Sequence, residues 1–255
     1  MNKHPLRYDG ERLVPHDSSL KNLLTEDLAK FEFASRYAAD KVVLDAGCGA
    51  GQGTAHVARK GARHVIGVDI SREAVAYAYH HYVERAKLSN VSFGTINGMR
   101  LGFCGQAFDL VTSIEVIEHL VEPETYLTEI RRVLKDNGQL VLSTPNKRIS
   151  SPTPGAMWPH HVHEFYPEEL QSLLEHHFAT VEMWGMSIPV YDQHPLRRLV
   201  HWFAPLFKPW LPLELRTRFL PTVQRMIKSE LELGDVSFTQ NEVAKKPTLI
   251  AVCGG

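Results

Sequence analysis

Short apolar runs and stretches with helical spacing alternate along most of the chain. Residues 42–44 are Val-Val-Leu, residues 108–114 form a longer apolar run, and residues 248–253 form another near the end. Runs of this length next to glycine or polar residues are typical of buried strands, whereas residues 20–34 and 124–135 have the apolar spacing of helices. The pattern therefore predicts an α/β fold built from strand–helix units.

The first strand opens into a loop that glycine dominates. Glycine occupies every second position from Gly47 to Gly53, which makes a continued strand unfavourable, and residues 54–59 then show helical spacing. A helix that begins directly after such a loop directs free backbone N–H groups towards a polar or anionic ligand. The sequence therefore predicts a nucleotide-type pocket at this strand end.

The glycine spacing separates two classes of cofactor. A dinucleotide fingerprint needs a small third residue where this chain has Gln52, so a nicotinamide-dependent oxidoreductase is disfavoured. Asp45 lies two residues before a Gly-x-Gly-x-Gly run, and this arrangement resembles the first motif of the class I S-adenosylmethionine (SAM) dependent methyltransferases. The resemblance implies that Gly47, Gly49 and Gly51 lie under the methionine part of SAM. Its ammonium group would be held by loop carbonyls or by Asp45.

A second acid fits the same interpretation. Asp69 closes the apolar run 64–70, and an acid at the tip of the neighbouring strand can accept hydrogen bonds from both ribose hydroxyls. Asp69 and Ile70 match the second motif of the family. Asn97 and Gly98 follow the third predicted strand, where the family has an acid that accepts from the adenine amino group. The amide oxygen of Asn97 can also accept that hydrogen bond.

The resemblance covers about residues 40–180 and implies the rest of the architecture. Its further motifs are Phe-Asp-x-Val, Glu-x-x-Glu-His-Leu, Val-Leu-Lys-x-x-Gly and Ser-Thr-Pro-Asn, in this order. It implies a doubly wound, seven-stranded, mostly parallel Rossmann-like sheet whose last strand is antiparallel. We expect an arm and helix covering the cofactor at residues 1–40, a SAM-binding core at 41–189, a helical lid insertion at 190–240 and a final core strand at 241–255.

Two groups of acid and imidazole side chains are suited to catalysis. Glu115, Glu118 and His119 have the i, i+3, i+4 spacing that places side chains on one face of a helix. Residues 160–163 hold three further histidines, one of which is His161. A hydroxyl acceptor needs a base or a metal to remove its proton. We expect Glu118, His119 and His161 to be the catalytic residues and Glu115 to lie near the cofactor, with no metal ligand assigned.

Two alternatives stay open for these groups. A divalent metal held by Glu115, Glu118 and His119 with His161 or His163 would resemble the metal-dependent RNA 2′-O-methyltransferases and the metal-assisted ubiquinone O-methyltransferases. The metal is not favoured, because Glu-His-Leu is also widespread in methyltransferases with no reported metal. Histidines with a purely structural role are the other alternative.

Residues 194–233 interrupt the pattern between the sixth and seventh predicted strands. They combine prolines and aromatic residues with seven basic residues, which include Arg197 and Arg198. One hypothesis is a lid that holds an acceptor with an anionic group, since insertions at the ligand edge of such a sheet usually shape the substrate site. The other is a small satellite core of packed aromatic residues with solvated arginines.

Composition adds limits on partners and location. The 255 residues carry a formal net charge of −1, so overall charge gives no strong nucleic-acid signal. Three scattered cysteines favour a reducing compartment, the start of the chain has no apolar h-region, and no stretch reaches transmembrane length. A cytoplasmic protein is expected, and the oligomeric state is left open.

The sequence thus predicts a SAM-dependent methyltransferase. The expected reaction is O-methylation of a small-molecule or glycan acceptor, including a lipid-linked one. N- or C-methylation, a metal-dependent RNA 2′-O-methyltransferase and a non-catalytic SAM-binding module are the alternatives. In each enzymatic case the protein mainly aligns the acceptor with the S–CH₃ bond and excludes water.

Overall fold

The computed structural model describes residues 6, 13–15, 20–153, 155–188 and 231–255. Most of the predicted lid insertion, with Arg197 and Arg198, lies outside these residues. Helices α1 to α6 span Lys21–Ser35, Gln52–Arg59, Arg72–Ala78, Pro123–Val133, Lys147–Ser150 and Pro167–Glu175. Strands β1 to β8 span Val42–Ala46, His64–Asp69, Val91–Thr95, Phe108–Ile114, Leu134–Pro145, Thr180–Ser187, Ser237–Thr239 and Thr248–Gly254.

The strands form a sheet in the order β3-β2-β1-β4-β5-β8-β6-β7. β1 to β5 pair with one another in parallel, and β8 pairs antiparallel with both β5 and β6. The mostly parallel, doubly wound sheet with an antiparallel last strand is therefore confirmed.

The predicted count of seven strands is wrong, because β7 adds an eighth strand. It pairs antiparallel with β6 through only three residues, Ser237–Thr239. A run this short falls below the four to eight residues that make a strand recognisable from its pattern. β7 also lies inside the range 190–240 that was expected to be a helical lid, so the sheet includes part of that range.

Alternate side chains of the central strands enter two cores, one on each face of the sheet. Val43 packs in the core that α1 and α2 cover, whereas its neighbour Leu44 packs in the core that α4 and α6 cover. Successive strand side chains point to opposite faces, so a sheet covered on both sides needs an uninterrupted apolar strand. Because β1, β2 and β4 run parallel, their carboxyl ends share one edge of the sheet, and ligands bind at that edge in such sheets.

The helices stay close to the predicted bounds and are short. The first predicted helix, 20–34, is α1, and the helix predicted over 124–135 ends at Val133, because Leu134 already pairs with Phe108 in the sheet. Among the described residues, no helix combines the length and the apolar character needed to cross a membrane.

Candidate functional site

The glycine loop between β1 and α2 takes backbone conformations that favour glycine. Gly47, Gly49 and Gly51 have φ values of +94°, +51° and +82°. A Cβ atom on Gly47 would lie 2.4 Å from a methyl group of Val116. A Cβ atom on Gly51 would lie 2.6 Å from the Cβ atom of Ala78. A Cβ atom on Gly49 would meet no atom within 4 Å, so the loop is packed at both ends and open at Gly49.

A fourth glycine, Gly53, allows α1 to lie close against α2. A Cβ atom there would lie 2.1 Å from the ring of Phe31. The side-chain amide of Gln52 donates a hydrogen bond to Asp27 of α1 at 3.3 Å. These contacts hold α1 beside the glycine loop.

Asp69 connects the tip of β2 to the glycine loop. Its Oδ2 accepts a hydrogen bond from the backbone N–H of Gly49 at 2.9 Å, and its Oδ1 accepts one from Ser71 at 2.8 Å. The backbone N–H of Gly47 donates to the carbonyl of Val68 at 2.8 Å. Each carboxylate oxygen can accept a further hydrogen bond, so Asp69 retains capacity for two ribose hydroxyls.

Asp45 lies under the loop and is almost completely buried. The hydroxyl of Thr54 donates to its Oδ2 at 2.6 Å, and that of Thr112 donates to its Oδ1 at 2.9 Å. Burial raises the pKa of Asp45 to about 6, although both hydrogen bonds oppose the shift. The side chain therefore fixes the loop from below, and its predicted contact with the cofactor ammonium stays a prediction.

A cleft with a volume of about 760 Å³ follows this edge of the sheet. It collects most of the residues that the sequence singled out, although Asp45 and Gly51 are not part of its lining. The predicted site residues that line it are Gly47, Gly49, Asp69, Ile70, Asn97, Gly98, Glu115, Glu118, His119 and His161.

Three further residues that were predicted to bind the cofactor, Ile70, Asn97 and Gly98, also line the cleft. The side chain of Ile70 is 72% exposed and gives the cleft an apolar surface beside Asp69. The amide oxygen of Asn97 accepts a hydrogen bond from the backbone N–H of Met99 at 2.9 Å and retains a second lone pair. A Cβ atom on Gly98 would lie 2.9 Å from the ring of Tyr126, so the chain passes close to α4 here.

A buried ion group from α1 faces the cleft, and the sequence analysis missed it. The Nζ atom of Lys30 lies 3.2 Å from Oε1 of Glu115 and 3.9 Å from Oδ1 of Asp27. Burial would lower the pKa of Lys30, but the two carboxylates outweigh it and raise that pKa. Burial raises the pKa of Asp27, although Lys30 opposes this.

The sequence did contain a signal for this group. Asp27 and Lys30 are three residues apart and stand one helical turn before Phe31 and Ala34, which are buried. Charged residues in line with the apolar stripe of a helix point inward and need a partner there.

Glu115, Glu118 and His119 do not share a helical face, so that prediction is wrong. Only Ile117–His119 form a single 3₁₀ turn, and Glu115 precedes it with a φ of +53°. The chain turns sharply here because β4 ends at Ile114. The hydroxyl of Ser143 donates to Oε1 of Glu115 at 2.8 Å, and the same oxygen lies 3.2 Å from Nζ of Lys30.

Glu118 is fully buried and has one oxygen without a partner. The hydroxyl of Thr144 donates to its Oε2 at 3.0 Å, whereas its Oε1 has no hydrogen-bond partner among the described residues. Burial raises the pKa of Glu118 well above its ordinary value, and the charge of Glu115 adds to the effect. A buried polar atom is normally paired, so this oxygen marks a place for a polar group of a ligand.

The predicted catalytic histidines lie together beside Glu118. The ring centroids of His119 and His161 are 5.0 Å apart in an edge-to-face arrangement, and ligand-capable atoms of all three residues lie within 4.8 Å of one another. The three could hold a metal ion. Glu115 and His163 are not members of this group, so of the residues considered for the metal alternative only Glu118, His119 and His161 come together.

Comparison with known proteins agrees with the motifs. Residues 44–142 match the family described as a methyltransferase domain. A probable S-adenosylmethionine-dependent methyltransferase of Mycobacterium tuberculosis is 35% identical over 187 residues, which are 71% of this chain and 64% of that protein. A ubiquinone biosynthesis O-methyltransferase of Cereibacter sphaeroides is 34% identical over 144 residues, which are 52% of this chain and 57% of that protein. The matched part thus spans less than two thirds of the length of these relatives.

A solved structure shows the same fold. Phosphoethanolamine N-methyltransferase 2 of Haemonchus contortus, in complex with S-adenosyl-L-methionine, has a TM-score of 0.60 and 17% identity, over 90% of this chain and 52% of that chain. The matched domain contains the glycine loop, Asp69 and the Glu115–His119 segment. Residues 44–142 of this chain are thus a methyltransferase domain, and over that domain the chain is similar to SAM-dependent methyltransferases.

Proposed function

We propose that this protein transfers the methyl group of SAM to a hydroxyl oxygen of a small-molecule or glycan acceptor. The observation that carries the proposal is a cleft with two unlike parts. One part is the glycine loop held by Asp69, and the other is the group of Glu118, His119 and His161. The first suits a nucleoside with an amino-acid tail, and the second suits a group that must lose a proton.

The residues of the first part fit SAM. Gly49 leaves the backbone open to the methionine portion, since even a Cβ atom would meet nothing there. Asp69 would accept from the ribose hydroxyls, and the exposed Ile70 would contact the adenine ring. The amide oxygen of Asn97 would accept from the adenine amino group.

The charge of the cleft supports binding of a cation such as a sulfonium. In the described lining, Lys30 is the lone lysine or arginine, and it is paired with Glu115. The acids of that lining are Glu26, Asp27, Asp69, Glu115, Glu118 and Glu164. Because acids outnumber basic residues in the described lining, we propose a neutral hydroxyl acceptor. The hypothesis that Arg197 and Arg198 hold an anionic group falls outside the described residues and stays a prediction.

The chemistry divides between the cofactor and the chain. SAM supplies a methyl group on a sulfonium, so transfer forms an O–C bond, breaks an S–C bond and leaves the electron pair on a neutral thioether. The chain aligns the acceptor and excludes water, and either His119 or His161 takes the hydroxyl proton. The unpaired Oε1 of Glu118 would pair with a second polar group of the acceptor.

N-methylation is a second candidate, favoured by the same surplus of carboxylates. An acid-rich cleft would also attract an amine in its ammonium form. The two candidates differ in the acceptor atom, and the histidines would then deprotonate nitrogen instead of oxygen.

Methyl-labelled SAM tests the proposal directly. The purified protein is incubated with catechol-type phenols, sugars, primary amines and short RNA, and the labelled products are identified. We expect label on oxygen, with His161→Asn turning over at least about 100-fold more slowly because a base is lost. Label on amines alone would support the second candidate.

Two controls separate the remaining alternatives. Calorimetric titration with S-adenosylhomocysteine should give heat for wild type and for His161→Asn alike. Binding without methyl transfer to any acceptor would indicate a non-catalytic SAM-binding module. No heat with wild type would overturn the assignment of the cleft to SAM. A chelator should leave turnover unchanged. Loss of turnover that Mg²⁺ restores would support the metal alternative.

A further inference from the structure

Glu164 lies directly behind His161 and is 1% exposed. Its Oε1 accepts a hydrogen bond from Nδ1 of His161 at 2.7 Å. Its Oε2 accepts hydrogen bonds from the hydroxyls of Ser150, at 2.7 Å, and of Ser151. A buried carboxylate with this many donors is built into the fold and is not a solvated surface charge.

The contact sets the tautomer of His161. An ionised carboxylate can only accept hydrogen bonds, so Nδ1 of His161 must carry the proton that is donated. Nε2 then carries the lone pair and can accept a proton. Nδ1 of His119 faces a different partner, the backbone carbonyl of His160 at 3.2 Å.

Glu164 is ionised over the whole range in which a methyltransferase would work. Burial alone would raise its pKa, but the hydrogen bonds from His161, Ser151 and Ser150 outweigh burial and lower the pKa to about 2. A fixed negative charge at this distance stabilises the positive charge that develops on the imidazole as it takes a proton in the transition state.

The segment that carries Glu164 is anchored to the sheet. The backbone N–H of Lys147 donates to the carbonyl of Phe165 at 3.0 Å, and Asn146 forms a parallel bridge with the same residue. α5 begins after Asn146 and brings Ser150 to the carboxylate. Contacts within the chain thus fix the position of the carboxylate.

We propose that Glu164 is a positioning residue that makes His161 the base of the reaction. Glu164 holds the Nδ1 proton of His161, leaves Nε2 free to take the acceptor's hydroxyl proton, and stabilises the resulting imidazolium. The inference rests on the proposed O-methylation, because it assigns the proton of that reaction.

Kinetics of matched variants test this role. Glu164→Gln keeps the shape but puts an amide next to Nδ1, and its NH₂ group can donate and so favour the other tautomer. We expect kcat to fall about 10- to 100-fold while the Kd of S-adenosylhomocysteine stays unchanged. In the His161→Asn background, Glu164→Gln should lower kcat by less than about twofold, since the two residues act as a unit. Glu168→Gln, an exposed acid paired with Arg148, is the control and should match wild type.

A measurement without an acceptor keeps the inference independent of turnover. Two-dimensional ¹⁵N NMR reports the tautomer of each histidine ring, and the signals of His161 are those that disappear in His161→Asn. We expect neutral His161 to be the Nδ1–H tautomer in wild type and to lose that preference in Glu164→Gln. The Nε2–H tautomer in wild type would overturn the inference. So would a Glu164→Gln substitution that lowers kcat by the same factor in the His161→Asn background as in wild type. If wild type methylates no hydroxyl, the proposed function fails, whereas an active wild type with an equally active Glu164→Gln refutes only the role of Glu164.

Discussion

Oδ2 of Asp69 accepts a hydrogen bond from the backbone N–H of Gly49 at 2.9 Å. The tip of β2 therefore holds the one glycine of the loop whose Cβ direction is empty. The acid predicted to bind ribose and the glycine predicted to lie under the methionine portion are thus part of one contact. Because the contact forms within the chain itself, this part of the cleft is preorganised for a ligand.

Asp69→Asn should weaken cofactor binding strongly. The amide retains one acceptor oxygen and loses the negative charge, so at least one charge-assisted hydrogen bond is lost, worth about 1.5–3 kcal/mol. We expect the Kd of S-adenosylhomocysteine to rise about 10- to 100-fold in calorimetry. Asp136→Asn is the control, since Asp136 pairs with Gln106 at the surface and does not line the cleft. Equal affinities for both variants would contradict the assignment of Asp69.

Alanine at Gly49 and at Gly51 should have different effects. At Gly49 the added methyl group meets no protein atom, so the free energy of unfolding should fall only by the cost of a left-handed alanine, about 1–2 kcal/mol. The same methyl group would occupy the space proposed for SAM. At Gly51 it would meet Ala78, which adds overpacking of about 1–3 kcal/mol.

Thermal unfolding and calorimetry separate the two variants. Gly49→Ala should melt about 2–8 °C lower than wild type and should lose most of its affinity for S-adenosylhomocysteine. Gly51→Ala should melt lower still. If Gly49→Ala binds like wild type, the cofactor does not approach the loop at this position.

The parts of the molecule that the sequence predicts are those specified by local pattern. The strand of residues 42–44, the glycine loop and the acid at Asp69 follow from apolar runs and glycine spacing. The cleft lining at Asn97 and Gly98 follows from position after the third strand. These features need no knowledge of distant contacts.

The parts that the sequence did not predict depend on contacts between distant elements. Lys30 pairs with Glu115 across 85 positions, which no local spacing reveals. The i, i+3, i+4 spacing from Glu115 suggested a helical face, but the sheet edge forces a left-handed residue there instead. The contact of Glu164 with His161 was also not predicted, although the two are three residues apart, because the partners of this carboxylate, Ser150 and Ser151, lie more than ten positions earlier in the chain.

Lys30→Met should destabilise the protein by removing the partner of Glu115. Breaking a fully buried pair costs about 3–5 kcal/mol, but the side chain of Glu115 is 28% exposed, so we expect about 1–3 kcal/mol in urea unfolding. The matched control is Lys60→Met. Lys60 pairs with Glu32 at 2.8 Å on the surface, where an ion pair contributes less than about 1 kcal/mol.

A second substitution identifies the cause. In Lys30→Met with Glu115→Gln, position 115 no longer carries a charge that has lost its partner, so part of the lost stability should return, although Asp27 still lacks Lys30. Strictly additive losses would mean that Lys30 acts through packing of its alkyl chain and not through the ion pair.

Asp45 should give the ligand-free protein a characteristic dependence of stability on pH. Its pKa is raised from 3.8 to about 6 in the folded protein by burial. Between about pH 4 and pH 6 the folded state therefore binds more protons at this site than the unfolded state does. The contribution of Asp45 to stability is greatest below this window and falls as pH rises through it. Two pKa units correspond to about 3 kcal/mol.

Asp45→Asn removes this dependence while keeping the shape of the side chain. We expect the free energy of unfolding of the variant, relative to wild type, to increase by about 3 kcal/mol between pH 4 and pH 7, as measured by urea unfolding in steps of pH. The surface variant Asp136→Asn should follow wild type throughout. Parallel curves for wild type and Asp45→Asn would mean that Thr54 and Thr112 stabilise the ionised carboxylate enough to cancel the cost of burying it. Asp45 would then be ionised under the glycine loop at mildly acidic pH as well as at neutral pH, and it would attract the cofactor ammonium from below over that wider range.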